Sequence, residues 1–479
     1  MGIPRSQKPS PAAGEFLFQL DPEPLEECVT AYAGIPLFVQ AARSLDVPGR
    51  VKQHLQIKQR DRGLDEAGYV ESFLVLNALG GDCLEDFERL REDEGLAEML
   101  GHSIPSCAAA RKFLYEFHDE SKLEQAQKEL PVGQVSYIAE ESAPLRALAQ
   151  VNQEMVEEIG RRCPDQKIAT VDLDSTIIES DKREARATYQ GVSGYQPMMA
   201  LWAEMNLALA DEFRDGNVPA QQEPLRVAKR AFQALPATVE EYYFRGDSGC
   251  WEKQLLNWLR DEKRAEGPQG RITFGISVRM TPNLKKHIVR LPDTLWKPYR
   301  EDSERVLECA DVLNHWPKDE ERPEEAGPLR YIAIRVRKRQ NALFADGSEA
   351  KYFAVASNEW DWDAVRLLRW QREKAGTIEA LHDVLKNELA AGVMPCGRLG
   401  ANAAWLRLAV MTHNVLTALK RLALPEKWLT ARPKRMRFQI FCSAGKLVSH
   451  ARRVLLRVRR LKEQLAEWIE TMRLLPMRA

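Results

Sequence analysis

The sequence predicts a mixed α/β protein in which a central sheet is flanked by helical regions and interrupted by a β-rich insertion. From Leu37 to Leu130 the apolar residues recur at helical spacing. The pattern becomes strand-like near Gln166 and helical again from Asp361 onward. With 479 residues, 44% hydrophobic and 29% charged, the chain is long and apolar enough for a large core and for two to four domains.

Between these helical regions, strands and helices alternate in a definite order. We predict strands over 167–178, 194–203 and 206–213, a helix over 219–235, a strand over 241–244 and a helix over 251–266. The segment Arg214-Asp-Gly-Asn217 is a strong turn signal after the third strand. Three strands followed by helix, strand and helix form a mixed-sheet pattern, and this order fits an RNase H-like core.

The second half of the chain predicts the insertion and a return to helices. Further strands are expected over 271–280, 331–337 and 351–356, and helices over 361–374, 377–391, 401–423 and 444–473. The Asp346-Gly347 pair is typical of a hairpin turn between the last two strands. The segment 282–328, with an acidic loop at 318–325, has a less regular pattern.

The charge is balanced overall but unevenly distributed. The formal net charge is −1, yet from Leu406 to the end there are 17 Lys or Arg, 4 Glu and no Asp. A phosphate backbone is a reasonable partner for such a surface, although a solvated helical face explains it equally well. The eight scattered cysteines form no CxxC pair, and no apolar run reaches membrane-spanning length, so we expect a cytoplasmic protein with reduced thiols.

Asp172 and Asp174 are the first candidate site residues. They lie two apart at the end of an apolar, strand-like run, so both side chains point to the same face. Adjacent buried carboxylates repel each other, and a metal ion would resolve that conflict. We predict Asp174 as the ligand and Asp172 as a neighbour or alternate, while a lone Asp here could also simply cap a turn.

Asp247 and Glu379 complete the candidate set. Asp247 follows a short strand and precedes Ser248-Gly249, which suits either a ligand at the carboxyl end of a strand or a helix N-cap. Glu379 lies on a helical stripe with Arg372 and Lys386, at intervals of seven residues, although an ordinary exposed helix shows the same pattern. Carboxylates at strand ends together with one on a helix can hold two divalent metal ions against a phosphate, which points to DNA as substrate.

Taken together, these motifs resemble those of the DDE-type transposases of bacterial insertion sequences, over roughly residues 35 to 460. The matching segments are 174–176, 214–217, 245–249, 374–379 with Lys386 and Asn387, and 400–402 through Asn414. The two Asp are 73 residues apart, and 132 residues separate Asp247 from Glu379. The long second interval is similar to the subgroup that carries a β-rich insertion.

The resemblance implies a polynucleotidyl transferase that cuts and joins DNA ends by two-metal phosphoryl transfer. Asp174, Asp247 and Glu379 would be the catalytic metal ligands, with Mg²⁺ as the metal and Mn²⁺ as a substitute. The terminal inverted repeats and the target DNA would be partners, bound by a homodimer. The resemblance assigns DNA contacts to Arg372, Lys374, Lys386, Arg245, Arg435 and Arg437.

The same resemblance divides the chain into regions with separate roles. A flexible tail is expected over 1–30, a helical DNA-binding region over 31–160, the catalytic core over 161–270 and 350–425, the insertion over 271–349 and a basic helical region over 426–479. The pattern of the N-terminal helices fits a simple packing domain equally well. The C-terminal helices would also contact the repeats.

One motif departs from the family pattern. Many relatives place Tyr, then Arg three residues on, then Glu four residues on, but Arg372 and Ala375 stand at those positions before Glu379. Trp370, Arg372 and Lys374 could supply the aromatic and basic roles at shifted positions.

Two other functions stay open: a metal-dependent nuclease without strand transfer, and a catalytically silent DNA-binding regulator of the same fold.

Overall fold

A nine-stranded mixed sheet forms the centre of the protein. The computed structural model describes residues 21–23, 26–58, 63–301, 303–312, 328–339, 342–450, 453–459 and 462–474. The predicted tail lies largely outside the described residues, and the acidic loop over 318–325 lies wholly outside them.

The strands are β1 (Val29–Thr30), β2 (Ile168–Ser175), β3 (Ile178–Glu179), β4 (Arg186–Ala187), β5 (Ser193–Tyr195), β6 (Met198–Trp202), β7 (Leu207–Glu212), β8 (Glu241–Gly246), β9 (Ile272–Ser277), β10 (Lys297–Glu301), β11 (Arg305–Asp311), β12 (Arg330–Lys338), β13 (Ala350–Ser357), β14 (Gly445–His450) and β15 (Arg453–Val458).

The helices before the last core strand are α1 (Pro36–Ser44), α2 (Val47–His54), α3 (Glu66–Leu79), α4 (Asp86–Arg91), α5 (Glu94–Leu100), α6 (Cys107–Tyr115), α7 (Glu120–Lys128), α8 (Ala143–Arg161), α9 (Pro224–Gln233) and α10 (Lys253–Arg260). Those after it are α11 (Pro282–Val289), α12 (Ala364–Arg372), α13 (Lys374–Glu388), α14 (Leu399–Leu422), α15 (Pro433–Met436) and α16 (Lys462–Leu474).

Five neighbouring strands of the large sheet confirm the predicted RNase H-like core. Their spatial order is β9-β8-β2-β6-β7, with β2 in the middle. β6 runs antiparallel to both β2 and β7, whereas β8 is parallel to β2 and β9 is parallel to β8. The β-favouring residues of β2 are buried from Ala169 to Leu173, which is what a central strand requires.

The insertion does not form a separate sheet but extends the central one. β13 pairs antiparallel with β9, and β12, β11 and β10 follow outward. β10 and β11 fall in the segment whose sequence pattern is irregular, so the sequence did not predict them. α12 covers these strands with Leu367 and Leu368, which pack against Ile332 and Ile334 in a second core cluster. The insertion is thereby fixed to the core on its edge and on one face.

Two buried asparagines fasten the long helix α14 to the rest of the core. The amide of Asn414 donates to the carbonyl of Ala208 at 2.8 Å, and its oxygen accepts the N–H of Ala208 at 2.8 Å. Asn402 pairs in the same way with the N–H and carbonyl of Cys396, each at 3.0 Å. Each side chain thereby satisfies one N–H and one carbonyl group of the backbone.

Several predicted boundaries were wrong, for local reasons. The strand expected over 194–203 divides into β5 and β6 at Gln196-Pro197, because proline has no N–H for a sheet ladder. The break between α12 and α13 lies at Glu373, and Gly376 lies inside α13. A helix was expected over 251–266, and the structure ends it at Arg260.

The largest error concerns the basic C-terminal segment. The helix expected over 444–473 is instead the hairpin β14–β15 followed by α16. β1 from the N-terminal region pairs with β14, so the hairpin obtains backbone partners that no local pattern reveals. None of the helices that the structure describes is long and apolar enough to cross a membrane.

Candidate active site

Two aspartates lie at the carboxyl ends of adjacent parallel strands. The pairing of β2 with β8 stops at Leu173 and Gly246, so Asp174, the next-to-last residue of β2, and Asp247, directly after β8, lie at the same edge of the sheet. The Oδ1 atom of Asp247 accepts the N–H of Gly249 at 2.9 Å, which holds the carboxylate at the turn. A Cβ on Gly246 would lie 2.5 Å from the Cβ of Cys250, so this tight turn favours glycine.

A buried lysine stands against the two carboxylates. The Nζ atom of Lys374, at the start of α13, lies 2.8 Å from Oδ2 of Asp174, and the two side chains are only 8% and 14% exposed. Burial alone would lower the pKa of Lys374, but the Asp174 and Asp247 carboxylates outweigh it and hold that pKa above its usual value. The ammonium group therefore stays charged.

The single lysine does not balance both carboxylates. Burial, followed by the charge of Asp174, raises the pKa of Asp247 even with Lys374 present. A site whose carboxylate resists ionisation in this way is electrostatically suited to a further cation. The donor atoms are hard carboxylate oxygens, which suit Mg²⁺ or Mn²⁺ better than a softer metal. Asp174 and Asp247 thus fit the metal chemistry that the sequence implies.

Glu379 lies on the wall of the adjacent cleft. It is an exposed residue of α13 and lines the same cleft as Asp247 and Lys374. It does not close a tight three-carboxylate cluster with the aspartates. Among the described residues only Asp82, Cys83 and Asp86 bring three possible ligand atoms within 4.8 Å of one another. That group is a turn in which Asp86 accepts two backbone N–H groups.

The cleft beside the carboxylates is large and basic. Its volume is about 830 Å³, and strands β11, β12 and β13 of the insertion form part of its lining. Its cationic residues are Arg279, Arg300, Arg305, Arg372 and Lys374. The sequence analysis singled out Arg372 and Lys374 but missed Arg279, Arg300 and Arg305. Arg279 could have been found, because it lies two residues after strand β9, at the edge of the sheet where Asp247 follows β8.

Asp172 has a different environment from Asp174. It is fully buried, and its two carboxylate oxygens accept Nε and Nη2 of Arg245 at 2.6 and 3.0 Å. The hydroxyl of Thr377, on α13, also donates to Asp172. The prediction of Asp172 as a metal ligand does not fit this pairing, because both of its oxygens are already engaged.

Arg245 likewise lies inside the protein and not on a DNA-facing surface. Its side chain is 2% exposed, and besides Asp172 it donates to the carbonyl of Trp370 at 2.8 Å and to Glu373 at 3.1 Å. These contacts join β2, β8 and the α12–α13 junction. The predicted DNA contact by Arg245 is therefore incompatible with its burial.

Of the other cations predicted to bind DNA, two have exposed side chains and two are hydrogen-bonded to backbone carbonyls of the protein. Arg372 and Arg435 are exposed, and Arg435 stacks on Trp428 with 5.1 Å between guanidinium and ring. Lys386 donates to the carbonyl of Ile177 at 2.7 Å. Arg437 donates to the carbonyls of residues 77, 78 and 388, which end two helices. Lys386 and Arg437 thus connect separate segments of the protein through hydrogen bonds to backbone carbonyls.

Comparison with known proteins gives a family match. The model described as transposase DDE domain group 1 matches residues 27–472. Among solved structures, the synaptic complex of piggyBac transposase with hairpin DNA is similar at 12% identity, with a TM-score of 0.44, over 85% of this chain and 79% of that one. No curated protein sequence matches the chain.

Proposed function

Because the chain belongs to the group 1 family of DDE transposase domains, we propose that it is the transposase of a bacterial insertion sequence, cutting and joining that element's ends. The observation that carries this proposal is the pair Asp174 and Asp247 at adjacent strand ends, whose negative charge Lys374 balances only in part, with an arginine-lined cleft beside Asp247. The terminal inverted repeats and target DNA are its substrates. We further propose a homodimer on DNA, working at the nucleoid in the cytoplasm.

Each residue of the site has a separate part in this proposal. Asp174 and Asp247 hold divalent metal ions, Mg²⁺ or Mn²⁺, and Glu379 joins them from the cleft wall. Held by these residues, the ions would supply activation of the attacking hydroxyl and stabilisation of the leaving oxygen in phosphoryl transfer. Arg279 and Arg372 extend from the cleft edge and hold phosphates of the bound strand.

Lys374 and Asp172 act on the position of the site and not on the reacting atoms. Lys374 neutralises Asp174 and keeps the start of α13 against the end of β2. Asp172, through Arg245 and Thr377, fixes the same helix to the sheet. The orientation of Glu379 depends on both contacts, because it lies on that helix.

The first test is DNA cleavage and strand transfer by purified protein with Mg²⁺ and duplex carrying the element's ends. Asp247→Asn should lower both rates by at least about 10³-fold, because it removes a metal-binding charge. DNA binding should persist. Asp361→Asn is a matched control, since Asp361 is exposed before α12.

Cleavage by Asp247→Asn at the wild-type rate would refute the site. Cleavage by the wild-type protein without joining would instead indicate a nuclease, and binding without cleavage would indicate a silent regulator.

A second test separates the two aspartates of β2. Asp174→Asn should abolish the rise in melting temperature that Mg²⁺ produces, because the substitution removes a metal ligand. Asp172→Asn should keep that rise while lowering stability by about 3–5 kcal/mol, because Arg245 loses its buried partner. Scanning calorimetry with and without Mg²⁺ measures both, and an unchanged Mg²⁺ response in Asp174→Asn would contradict the assignment.

A further inference from the structure

The C-terminal hairpin has two faces of opposite character. β14 and β15 are antiparallel, and their register pairs Lys446 with Arg457, Val448 with Leu455, and His450 with Arg453. Because side chains alternate along a strand, these six residues share one face. Leu447, Leu456, Ser449 and Val454 lie on the other face.

The second face attaches the hairpin to the N-terminal helices. Leu447 is 4% exposed and packs beside Gly95 of α5, where an added Cβ would come within 2.7 Å of it. The hydroxyl of Ser449 donates to Glu98 at 3.0 Å, and β1 adds backbone pairing through Val29 and Thr30. The hairpin is thus held in place from one side, and its first face points away from the body.

The first face carries uncompensated positive charge. Arg453 and Arg457 are exposed, and neither forms an ion pair with any acidic residue that the structure describes. Lys446 pairs with Glu27, and His450 is exposed at the far end. Arg89 of α4, by contrast, is exposed but paired with Glu92.

We propose that this face of the hairpin binds duplex DNA, with Arg453 and Arg457 on phosphates. This inference rests on the proposed function for the identity of the DNA. The major groove of B-DNA is about 12 Å wide and admits a two-stranded ribbon. The three cross-strand pairs span about 13 Å at 3.3 Å per residue, enough to reach neighbouring phosphates.

A second copy of the chain is the competing occupant, since β15 is an edge strand of its three-stranded sheet. Edge-to-edge pairing of two β15 strands would bring Arg453 and Arg457 of both copies together, and like charges facing each other are unfavourable. The exposed Leu455 is the one apolar residue of the strand on that face. Charge therefore favours DNA over self-association.

The test measures binding of the full chain to fluorescent duplex of about 30 base pairs, without metal, across a salt series. Arg453→Gln with Arg457→Gln should weaken binding roughly 10- to 100-fold near 0.1 M salt and reduce the slope of log K against log salt by about two. The matched control is Arg89→Gln with Arg91→Gln, which removes the same charge from side chains already paired with Glu92 and Glu88.

Arg453→Lys with Arg457→Lys should keep the slope of log K against log salt, because charge and not side-chain shape sets it. Equal binding by the Gln pair and the control pair would overturn the proposal. So would a dimer, seen in sedimentation, that Leu455→Glu dissociates while DNA binding is unchanged. Metal-dependent cleavage, assayed in parallel on wild-type protein, separates failure of this inference from failure of the proposed function.

Discussion

The charges around Asp174 and Asp247 differ from those around Asp211 and Glu212 in how completely they are compensated. Both groups lie at strand ends of the central sheet and are largely buried. At the first, one ammonium group faces two carboxylates, and the pKa of Asp247 is raised by burial and by Asp174. In the second group, called the balanced group below, the carboxylates are paired with guanidinium groups.

Arg407 of α14 is the centre of the balanced group. It is fully buried and donates to Asp211 at 3.0 Å and to Glu141 at 2.7 Å. Arg230 bridges Glu141 and Glu212, and Arg214 pairs with Glu212 at 2.6 Å. The balanced group joins α8, α9 and α14 to β7. A surplus of negative charge therefore distinguishes the candidate site from the balanced group, which lies at the same end of the sheet on β7, two strands away from β2.

Within this comparison of the two groups, the largest effect on stability should come from removing Arg407, the centre of the balanced group. Arg407→Met leaves Asp211 and Glu141 buried without their main cation, and we expect a loss of about 3–5 kcal/mol in unfolding free energy. Urea unfolding followed by circular dichroism measures it, with Arg89→Met on the surface of α4 as control. A loss no larger than that of the control would show that the balanced group does not hold the fold.

A smaller, pH-dependent effect is expected at Glu141. Although burial opposes ionisation, Arg407 and Arg230 lower the pKa of Glu141 to about 2. A lowered carboxylate pKa stabilises the fold above the unfolded value of about 4.3, and that contribution is lost as pH falls toward 2. Glu141→Gln should therefore cost about 2–3 kcal/mol at pH 7 and progressively less below about pH 4.3.

Urea midpoints at pH 7 and at about pH 3 give the difference in unfolding free energy between wild type and Glu141→Gln. If that difference is the same at both pH values, the charge of Glu141 does not contribute to the stability that the balanced group provides.

The smallest effect, and the sharpest contrast, is expected at Lys374. Lys374→Met removes the one cation facing Asp174 and Asp247, so in EDTA we expect a loss of about 1–3 kcal/mol. Mg²⁺ should then raise the melting temperature more in the variant than in the wild type, because the ion takes over the missing charge. If Mg²⁺ raises the melting temperature equally in Lys374→Met and in the wild type, the two groups do not differ in charge compensation as described.

Much of the fold could be predicted because it is written in local patterns. The buried run before Asp174, the turn after β7 and the strand before Asp247 all have short-range signals, and the RNase H-like order follows from them. The segment 297–311 has none, and its strands form because the free edge of β12 gives them partners. Likewise, β14 has a helix-compatible sequence and becomes a strand beside β1.

The candidate site shows the same division between local and tertiary information. Alternation placed Asp172 and Asp174 on one face, but it could not tell which one meets Arg245 and which one meets Lys374. That choice depends on where β8 ends and where α13 begins against the sheet. The cationic character of Lys374 was recognised, whereas its burial against Asp174 was not.

By itself, the amino-acid sequence determined the order of the core elements and the presence of acidic residues at two strand ends, because both depend on side-chain periodicity over a few residues. The three-dimensional fold was needed to establish which carboxylates are neutralised, which arginines are buried and where the insertion and the basic hairpin attach. The physical reason is that charge compensation and edge pairing join residues far apart in the chain, so that no local pattern contains them.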